Sequence, residues 1–327
     1  MRLGHDHVKV QVPATSANLG PGFDALGLAL AVYDEIEVRA LGTPGAVVEV
    51  SGAGAGEVPG GEDHLVVRAL RTALDHVGAP QTGLHLICHN RIPHGRGLGS
   101  SAAAAVAGIL AARLLIADPS ALDDDVVLDL ATRMEGHPDN AAPALLGGAT
   151  VAWIEEGRAR AVRLAVHRDV VPVVLVPASR LATRTARAVL PPTVPHADAA
   201  TQAGRAALLV EALGRRPDLL LPATQDLLHQ RYRAQVMPDT LALVEALRRR
   251  GVAAVVSGAG PTVLVLARRS GDGGELGEGS PVEVATDADA AITATFGGAM
   301  GGWQILRPAI DLAGVHGTRV GNAARVR

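Results

Sequence analysis

Pro93-His-Gly-Arg-Gly-Leu-Gly-Ser-Ser-Ala-Ala103 stands between a strand-like run, Gly83–His89, and a long Ala-rich stretch, Ser100–Ile116, that reads as a helix. Glycines at 95, 97 and 99 let a backbone turn its N–H groups inward and let a ligand come close. Ser100 and Ser101 fall at the helix start, where hydroxyls cap and the helix terminus attracts anions. Together these are the requirements of a phosphate loop. Its candidate members are Pro93, Gly95, Arg96, Gly97, Leu98, Gly99, Ser100, Ser101, Ala102 and Ala103. A Walker loop is excluded, because no Gly-Lys-Ser/Thr follows. The plain alternative is a glycine-rich turn before a helix, and the alternate glycines with a serine pair weigh against it.

Outward from this loop, strands and helices alternate. Val8, Val10 and Val12 share one face of a half-buried strand, and Glu35–Leu41 and Val47–Val50 repeat the pattern. The intervening TSANLGPGFDALGLAL, 15–30, is too rich in Gly and Pro for a plain strand. Leu65–Val77 has helical spacing, Asp123–Asp125 reads as the acidic start of a helix over Val126–Met134, and Gly148–Ile154 with Ala161–Val166 reads as a hairpin. A second block opens near Val170 with the apolar strand Val171–Val176. Helices are expected over Thr183–Val189, Ala197–Leu213, Pro222–Arg231, Pro238–Arg250 and Asp287–Phe296. Strands are expected over Val252–Val256, Thr262–Ala267 and Trp303–Arg307. Ser270–Pro281 reads as a mobile polar loop, and the chain from about Gly314 as disordered. The expected division is 1–165 and 166–327.

At 327 residues and 48% hydrophobic, the chain can bury two cores, and disorder throughout is excluded. A net charge of −3 and only two each of Phe, Trp and Tyr give no reason to expect nucleic acid or an anionic membrane. Cys88 is the single cysteine, so no intrachain disulfide forms and a reducing, cytoplasmic setting is expected. The first residues lack an apolar signal core, and the apolar stretch Ser101–Ala112 is too short to span a bilayer. Lys9 is the only lysine.

Three further segments carry polar chemistry. In Pro13-Ala-Thr-Ser-Ala-Asn-Leu-Gly-Pro-Gly-Phe-Asp24, Asn18 and Asp24 suit a hydroxyl or an ammonium, or else simply hold the turns. Ser257-Gly-Ala-Gly-Pro-Thr262 is either a tight strand connection or a lid closing over the phosphates, through Ser257, Gly258 and Gly260. Glu135-Gly-His-Pro-Asp-Asn140 crowds four polar side chains into six residues, more than caps alone require.

TSANLGPGFD, PxxxGLGSSAA, EGHPDN with APALLGG, and SGAGPT occur together in one order. The chain thereby resembles the GHMP kinase superfamily over almost its whole length, about 8 to 310. TSANLGPGFD with EGHPDN points to its homoserine kinase branch. The resemblance implies an α+β, two-domain GHMP kinase fold. Its N-terminal domain would be ribosomal-S5-like α/β with a left-handed βαβ crossover, an exception to the usual handedness, and its C-terminal domain ferredoxin-like. It also implies ATP and Mg²⁺ as requirements and phosphorylation of the side-chain hydroxyl of L-homoserine, a step of threonine synthesis.

By the same resemblance, 93–103 is the ATP phosphate loop, and Ser101 with Glu135 (or Asp129, the less favoured carboxylate) binds Mg²⁺. Asn18 and Asp24 contact the substrate hydroxyl and amine, and His137 and Asp139 line its pocket, with Asp139 suited to the ammonium. Thr183 and Arg187 match T-x-x-x-R, and Asp226 to Arg233 matches D-x-x-H-x-x-x-R. Two arginines forking onto one carboxylate is sound chemistry, although in so arginine-rich a chain each could instead be a solvated surface charge. His64 stands where many relatives place an asparagine beside the adenine. Asn140 takes the place of the aspartate base of mevalonate kinases, so no general base is evident, which a loose phosphoryl-transfer transition state allows. Alternatives are another small-molecule kinase of the superfamily, a catalytically silent nucleotide-binding protein of this fold, and a dinucleotide oxidoreductase. The last lacks the third-glycine spacing and an acidic residue about 20 positions on. Oligomeric state, a homodimer included, is left open by the sequence.

Overall fold

The computed structural model describes residues 1–270, 285–297 and 301–321. In chain order the strands are β1 His7–Ala17, β2 Leu26–Leu41 and β3 Ala46–Gly52, followed by helix α1 Leu65–His76 and β4 Gly83–Asn90. Next come α2 Ser100–Leu115, α3 Asp124–Glu135, α4 Ala141–Leu146, and the hairpin β5 Ala149–Glu155 and β6 Arg158–Leu164. The second half holds β7 Val170–Pro177, α5 Thr183–Ala188, α6 His196–Gly214, the single turn α7 Leu220–Ala223 and α8 Pro238–Arg249. It ends with β8 Ala254–Val256, β9 Val263–Arg268, α9 Asp289–Phe296, β10 Trp303–Leu306 and β11 His316–Arg319.

Seven strands form the first sheet. Its main path runs β11-β1-β2-β4-β3, and β5 with β6 branches from β2. The pair β3 and β4 is parallel and joined through α1, a βαβ unit, while the other pairs are antiparallel. Period-two alternation buries Val8, Val10 and Val12. Helix α2 is buried on most of its sides, between the sheet, α1 and α3, which is why it is built of alanine. At Gly108 an added Cβ would sit 2.4 Å from the Val66 carbonyl, so this glycine lets α1 and α2 touch.

The second sheet is antiparallel in the order β10-β7-β9-β8. Its chain order of strand, helices, two strands, helix, strand is the βαββαβ pattern of ferredoxin-like folds. Strand β7 is flanked on both edges and covered, so it reads as an unbroken apolar run.

Four expectations fail. The glycine-rich stretch 15–30 is strand at both ends and turn between: β1 runs to Ala17 and β2 begins at Leu26, because a register shift at Pro13/Ala14 lets the ladder continue past the proline. Pro222–Arg231 is no helix. After α7 the chain breaks, and Asp226 accepts from the N–H groups of Leu228, His229 and Gln230, replacing helical bonds. Ser100 and Ser101 do not cap α2, whose N-cap is Gly99 in the left-handed region. The segment from Gly314 is ordered through 321, since β11 pairs with β1. The expected mobile loop, beyond Ser270, and residues 322–327 lie outside the described residues.

Candidate active site

Three stretches meet where the first sheet faces the second. The turn leading into α2 lies against the 257–262 connection between β8 and β9. Ser257 Oγ donates to the Gly97 carbonyl at 2.6 Å, Gly258 N–H to the Ala17 carbonyl at 3.0 Å, and Asn18 Nδ2 to the Gly258 carbonyl at 2.9 Å. Gly97 has φ +74°, and a Cβ there would meet the Ser257 carbonyl oxygen at 2.2 Å. Gly99 has φ +68°, and its Cβ would meet Thr15 Oγ1 at 1.9 Å. Both glycines are therefore required by the protein's own close packing. Among the described residues the N–H groups of Gly95, Gly97, Leu98, Gly99, Ser100 and Ser101 donate to no protein acceptor, leaving a row of donors at a helix N-terminus.

A cavity of about 150 Å³ opens at this junction. Among the sequence-derived candidates it takes in Asn18, Gly95, Gly97, Leu98, Gly99, Ser100, Ser101, Glu135, His137, Asp139, Asn140, Thr183, Arg187, Arg233 and Gly258. Others fall away from it. Asp24, held by Arg187, is not part of its lining, and Ala102 and Ala103 are buried within the first turn of α2. Arg96 turns to the carbonyls of Pro177 and Ala178, each at 2.9 Å, and Pro93 leads into the turn without lining the cavity. Ser257 and Gly260 support the loop from behind, Ser257 being fully buried, so the connection braces the glycine-rich turn and only Gly258 and Ala259 of it reach the cavity.

Ser101 Oγ donates to Glu135 Oε1 at 2.5 Å. Burial raises the pKa of Glu135, against the pull of Ser101 and His137 in the other direction. Asp129 is elsewhere, paired with Arg133 at 2.6 Å and accepting from the Ala159 N–H. No group of three or more His, Cys, Asp and Glu capable of caging a metal occurs among the described residues. Mg²⁺ needs no cage, since one or two protein oxygens beside phosphate suffice, and the hard oxygens of Ser101 and Glu135 next to the open amides fit that need.

Across the cavity, His137 Nδ1 bonds Asp139 Oδ1 at 2.6 Å. Burial disfavours the charged imidazole, yet the bond to Asp139 and its charge outweigh burial and raise the His137 pKa. Asn140 Oδ1 accepts from Thr15 Oγ1 at 2.8 Å. Arg187 forks onto Asp24, at 2.5 and 3.1 Å. Asn18, with φ +68°, spends both ends of its amide on backbone: Nδ2 on Gly258, and Oδ1 on the Asp24 N–H at 3.0 Å. It shapes the turn that presents Asp24, so the turn-holding reading of Asn18 is the one the geometry favours.

Arg233 is 1% exposed, although arginine is almost never buried without an anionic partner. Its Nε donates to the Ala186 carbonyl at 3.2 Å, and its Nη1 to the Gly258 carbonyl and to His229 Nδ1, each at 3.0 Å. Among the described residues its Nη2 has no protein partner and no carboxylate lies within ion-pair distance of the guanidinium. Burial and the neighbouring Arg187 push its pKa down to about 10.

A second, larger cavity of about 500 Å³ shares Ser100, Ser101 and Glu135 with the first and runs under α1. Its walls include Ile36, Val58, Leu65 and Met134. His64, 6% exposed and at the N-cap of α1, lines it with Nδ1 unbonded. Sequence reasoning missed the supports: Thr15 behind Asn140, Gln202 bridging the Pro21 carbonyl and Asp226, and Gln230 accepting from the Val256 N–H. Each makes a contact 24 to 181 residues away in the chain, a pairing no local pattern announces.

Residues 64–148 match the family model for the GHMP kinases N terminal domain, and 199–278 the model for GHMP kinases C terminal. A homoserine kinase of Streptomyces coelicolor is 60% identical over 261 residues, covering 80% of this chain and 84% of that protein. One of Leifsonia xyli is 50% identical over 317 residues, covering 97% and 94%. The crystal structure of homoserine kinase from Cytophaga hutchinsonii superposes with a TM-score of 0.77 at 25% identity, over 96% of this chain and 98% of that one. A mevalonate kinase from L. major shares the fold, with a TM-score of 0.64 at 16% identity, over 94% and 98%. Two sheets clasping a glycine-rich anion loop, both domain matches, and identity sustained along nearly the full length agree: the chain belongs to the homoserine kinase family of the GHMP kinases.

Proposed function

We propose that the protein transfers the γ-phosphoryl group of ATP to the side-chain hydroxyl of L-homoserine, giving O-phospho-L-homoserine for threonine synthesis. The observation that carries this is Arg233, a buried guanidinium with one amine free and facing the cavity, next to the open amides of the phosphate loop. A carboxylate on that amine supplies the missing counter-charge. Arg187 is the second fork on the same carboxylate, with Thr183 beside it at the start of α5. Asp24 and Asp139 take the ammonium. The Asp24–Arg187 pair of the present structure then opens, each member exchanging its partner for one end of the zwitterion.

The triphosphate lies on the amides of 95–101, and the nucleoside fits the adjoining 500 Å³ cavity, where His64 offers an unbonded ring nitrogen to the base. Ser101 and Glu135 are the residues that would hold Mg²⁺, which supplies charge neutralisation to the phosphates. His137 steadies Asp139, and Thr15 orients Asn140 toward the substrate hydroxyl. No side chain is assigned as an obligatory base, because positioning and charge neutralisation dominate a loose transition state. Among the described residues no helix is long and apolar enough to cross a membrane. The test is ADP release with Mg·ATP and, in separate reactions, L-homoserine, L-threonine, mevalonate and galactose. Turnover confined to homoserine is expected, and preference for another alcohol overturns the reading.

A further inference from the structure

His229 takes no part in that chemistry, yet it lies fully buried at the back of the amino-acid pocket. Both ring nitrogens are bonded. Nδ1 lies 3.0 Å from Arg233 Nη1, and Nε2 lies 2.8 Å from the Gly20 carbonyl. A guanidinium only donates and a carbonyl only accepts, so Nδ1 is the bare acceptor and Nε2 carries the proton. The two bonds therefore hold the ring in one tautomer. The Phe23 ring packs 5.0 Å from the imidazole, and the Arg233 guanidinium lies over the same ring at 5.9 Å.

Gly20 and Phe23 belong to the turn that ends in Asp24, whereas Arg233 belongs to a short 3-10 turn at 231–233 in the other half of the chain. His229 hydrogen-bonds to both. Of the N–H groups of Arg233, three are fixed by Ala186, Gly258 and His229. Without His229 the two remaining contacts are both to backbone carbonyls, and one Nη1 proton is left buried and unpaired, which rewards rotation of the fork away from the cavity. We infer that His229 is a positioning residue: by accepting from Arg233 Nη1 while anchored on the Gly20 carbonyl, it aims the Arg233 Nη2 amine into the pocket and ties it in register with Asp24.

This rests on the proposed carboxylate role of Arg233. It also implies sensitivity to acid, because a proton on Nδ1 would face the guanidinium. The groups around the ring are Arg233, the Asp226 carboxylate 3.5 Å from Nε2, the more distant Asp24 and the uncharged Phe23. Burial and Arg233 hold the imidazole neutral against the pull of the two carboxylates.

The experiment compares His229→Leu, which removes both bonds, with His229→Gln, whose amide can accept and donate. The readings are KM for homoserine, KM for ATP, kcat and melting temperature. Loss of a hydrogen bond to a charged group raises the homoserine KM of His229→Leu by about 10- to 100-fold. KM for ATP is expected to stay within about twofold, and His229→Gln to recover most of the loss. An unchanged homoserine KM in folded His229→Leu overturns the inference, as does a rise shared equally with ATP. If His229→Leu does not fold, the pH profile of His229→Gln decides: the parent's rise in homoserine KM on acidification must be absent from the glutamine variant, and its persistence overturns the assignment. Parental turnover of homoserine separately tests the proposed function, so the two failures are distinguishable.

Discussion

The proposed phosphate loop and the proposed amino-acid pocket share one cavity but are built in opposite ways. The loop offers backbone donors from six of the seven residues 95–101, and depends on what is missing, namely side chains at 97 and 99. The pocket is an arrangement of charged side chains drawn from separate parts of the chain: Asp139, Arg187 and Arg233 line it, and Asp24 is held at its margin by Arg187. A backbone site is intolerant because its glycines are also pressed against the protein. A side-chain site can lose one member and keep its shape. Damage to the loop is therefore expected to be structural, and damage to the pocket selective for one substrate.

The sharpest test of that contrast is Gly97→Val. The Cβ would fall 2.2 Å from the Ser257 carbonyl, so the two halves must part before any nucleotide is involved. Activity is expected to fall by more than about 10²-fold, together with a lowered melting temperature. Gly95→Ala is the control, since its Cβ would find its nearest neighbour, Arg180, at 3.6 Å and would pay only for the left-handed φ of +65°. A Gly97→Val protein with parental stability and a raised KM for ATP alone would show that the clash is relieved and that the loop is strictly a ligand surface.

Arg233→Met should act in the other manner. Losing a buried charged partner costs about 2–5 kcal/mol, so KM for homoserine should rise at least about 30-fold while KM for ATP stays put. Steady-state kinetics with each substrate varied in turn settles it, and an equal loss for both would erase the distinction between the two regions. Asn140→Ala is expected to cost less, about tenfold or below in kcat, against the 10²–10⁴ of a lost general base. A larger loss with unchanged KM values would make Asn140, or the Thr15 that holds it, indispensable to the chemical step.

The smallest effect concerns pH. Because His137 has its pKa raised in the folded state, its pairing with Asp139 contributes stability in full below the unfolded value near 6.5. That contribution is lost as pH rises through the folded value. Chemical denaturation at pH 6 and pH 9 should show the parent losing stability across this interval, with the loss reduced in Asp139→Asn. An identical decline in both proteins would remove the pair as its source.

The same contrast governs what could be read in advance. The loop was visible because glycines and serines crowd one short segment, and strands such as β1 and β7 were visible from period and apolar content. Asn18, Asp24 and Arg187 could be singled out, but not the fork joining Asp24 to Arg187, because 163 residues separate the two. Arg96 was misplaced since its position within the motif says nothing of where a long side chain points. Pro222–Arg231 looked helical because the capping of three successive amides by one buried carboxylate, Asp226, leaves no periodic trace. Order beyond Gly314 was hidden for a related reason: His316–Arg319 is a strand only by virtue of a partner some 300 residues earlier.

That last pairing has a consequence for the order of synthesis. β11 covers the edge of β1, a strand made some 300 residues before it. As the chain emerges from the ribosome, β1 can pair with β2 almost at once, but its other edge stays bare until residue 319 has been added. A bare edge is a row of unsatisfied N–H and C=O groups open to other chains. The nascent protein therefore carries a sticky border while some 300 further residues are added. At Gln11 on that border the long polar side chain reaches Glu35 of the next strand, and Lys9 pairs with Glu37. Charged and polar residues of this kind on a strand edge discourage pairing by other chains.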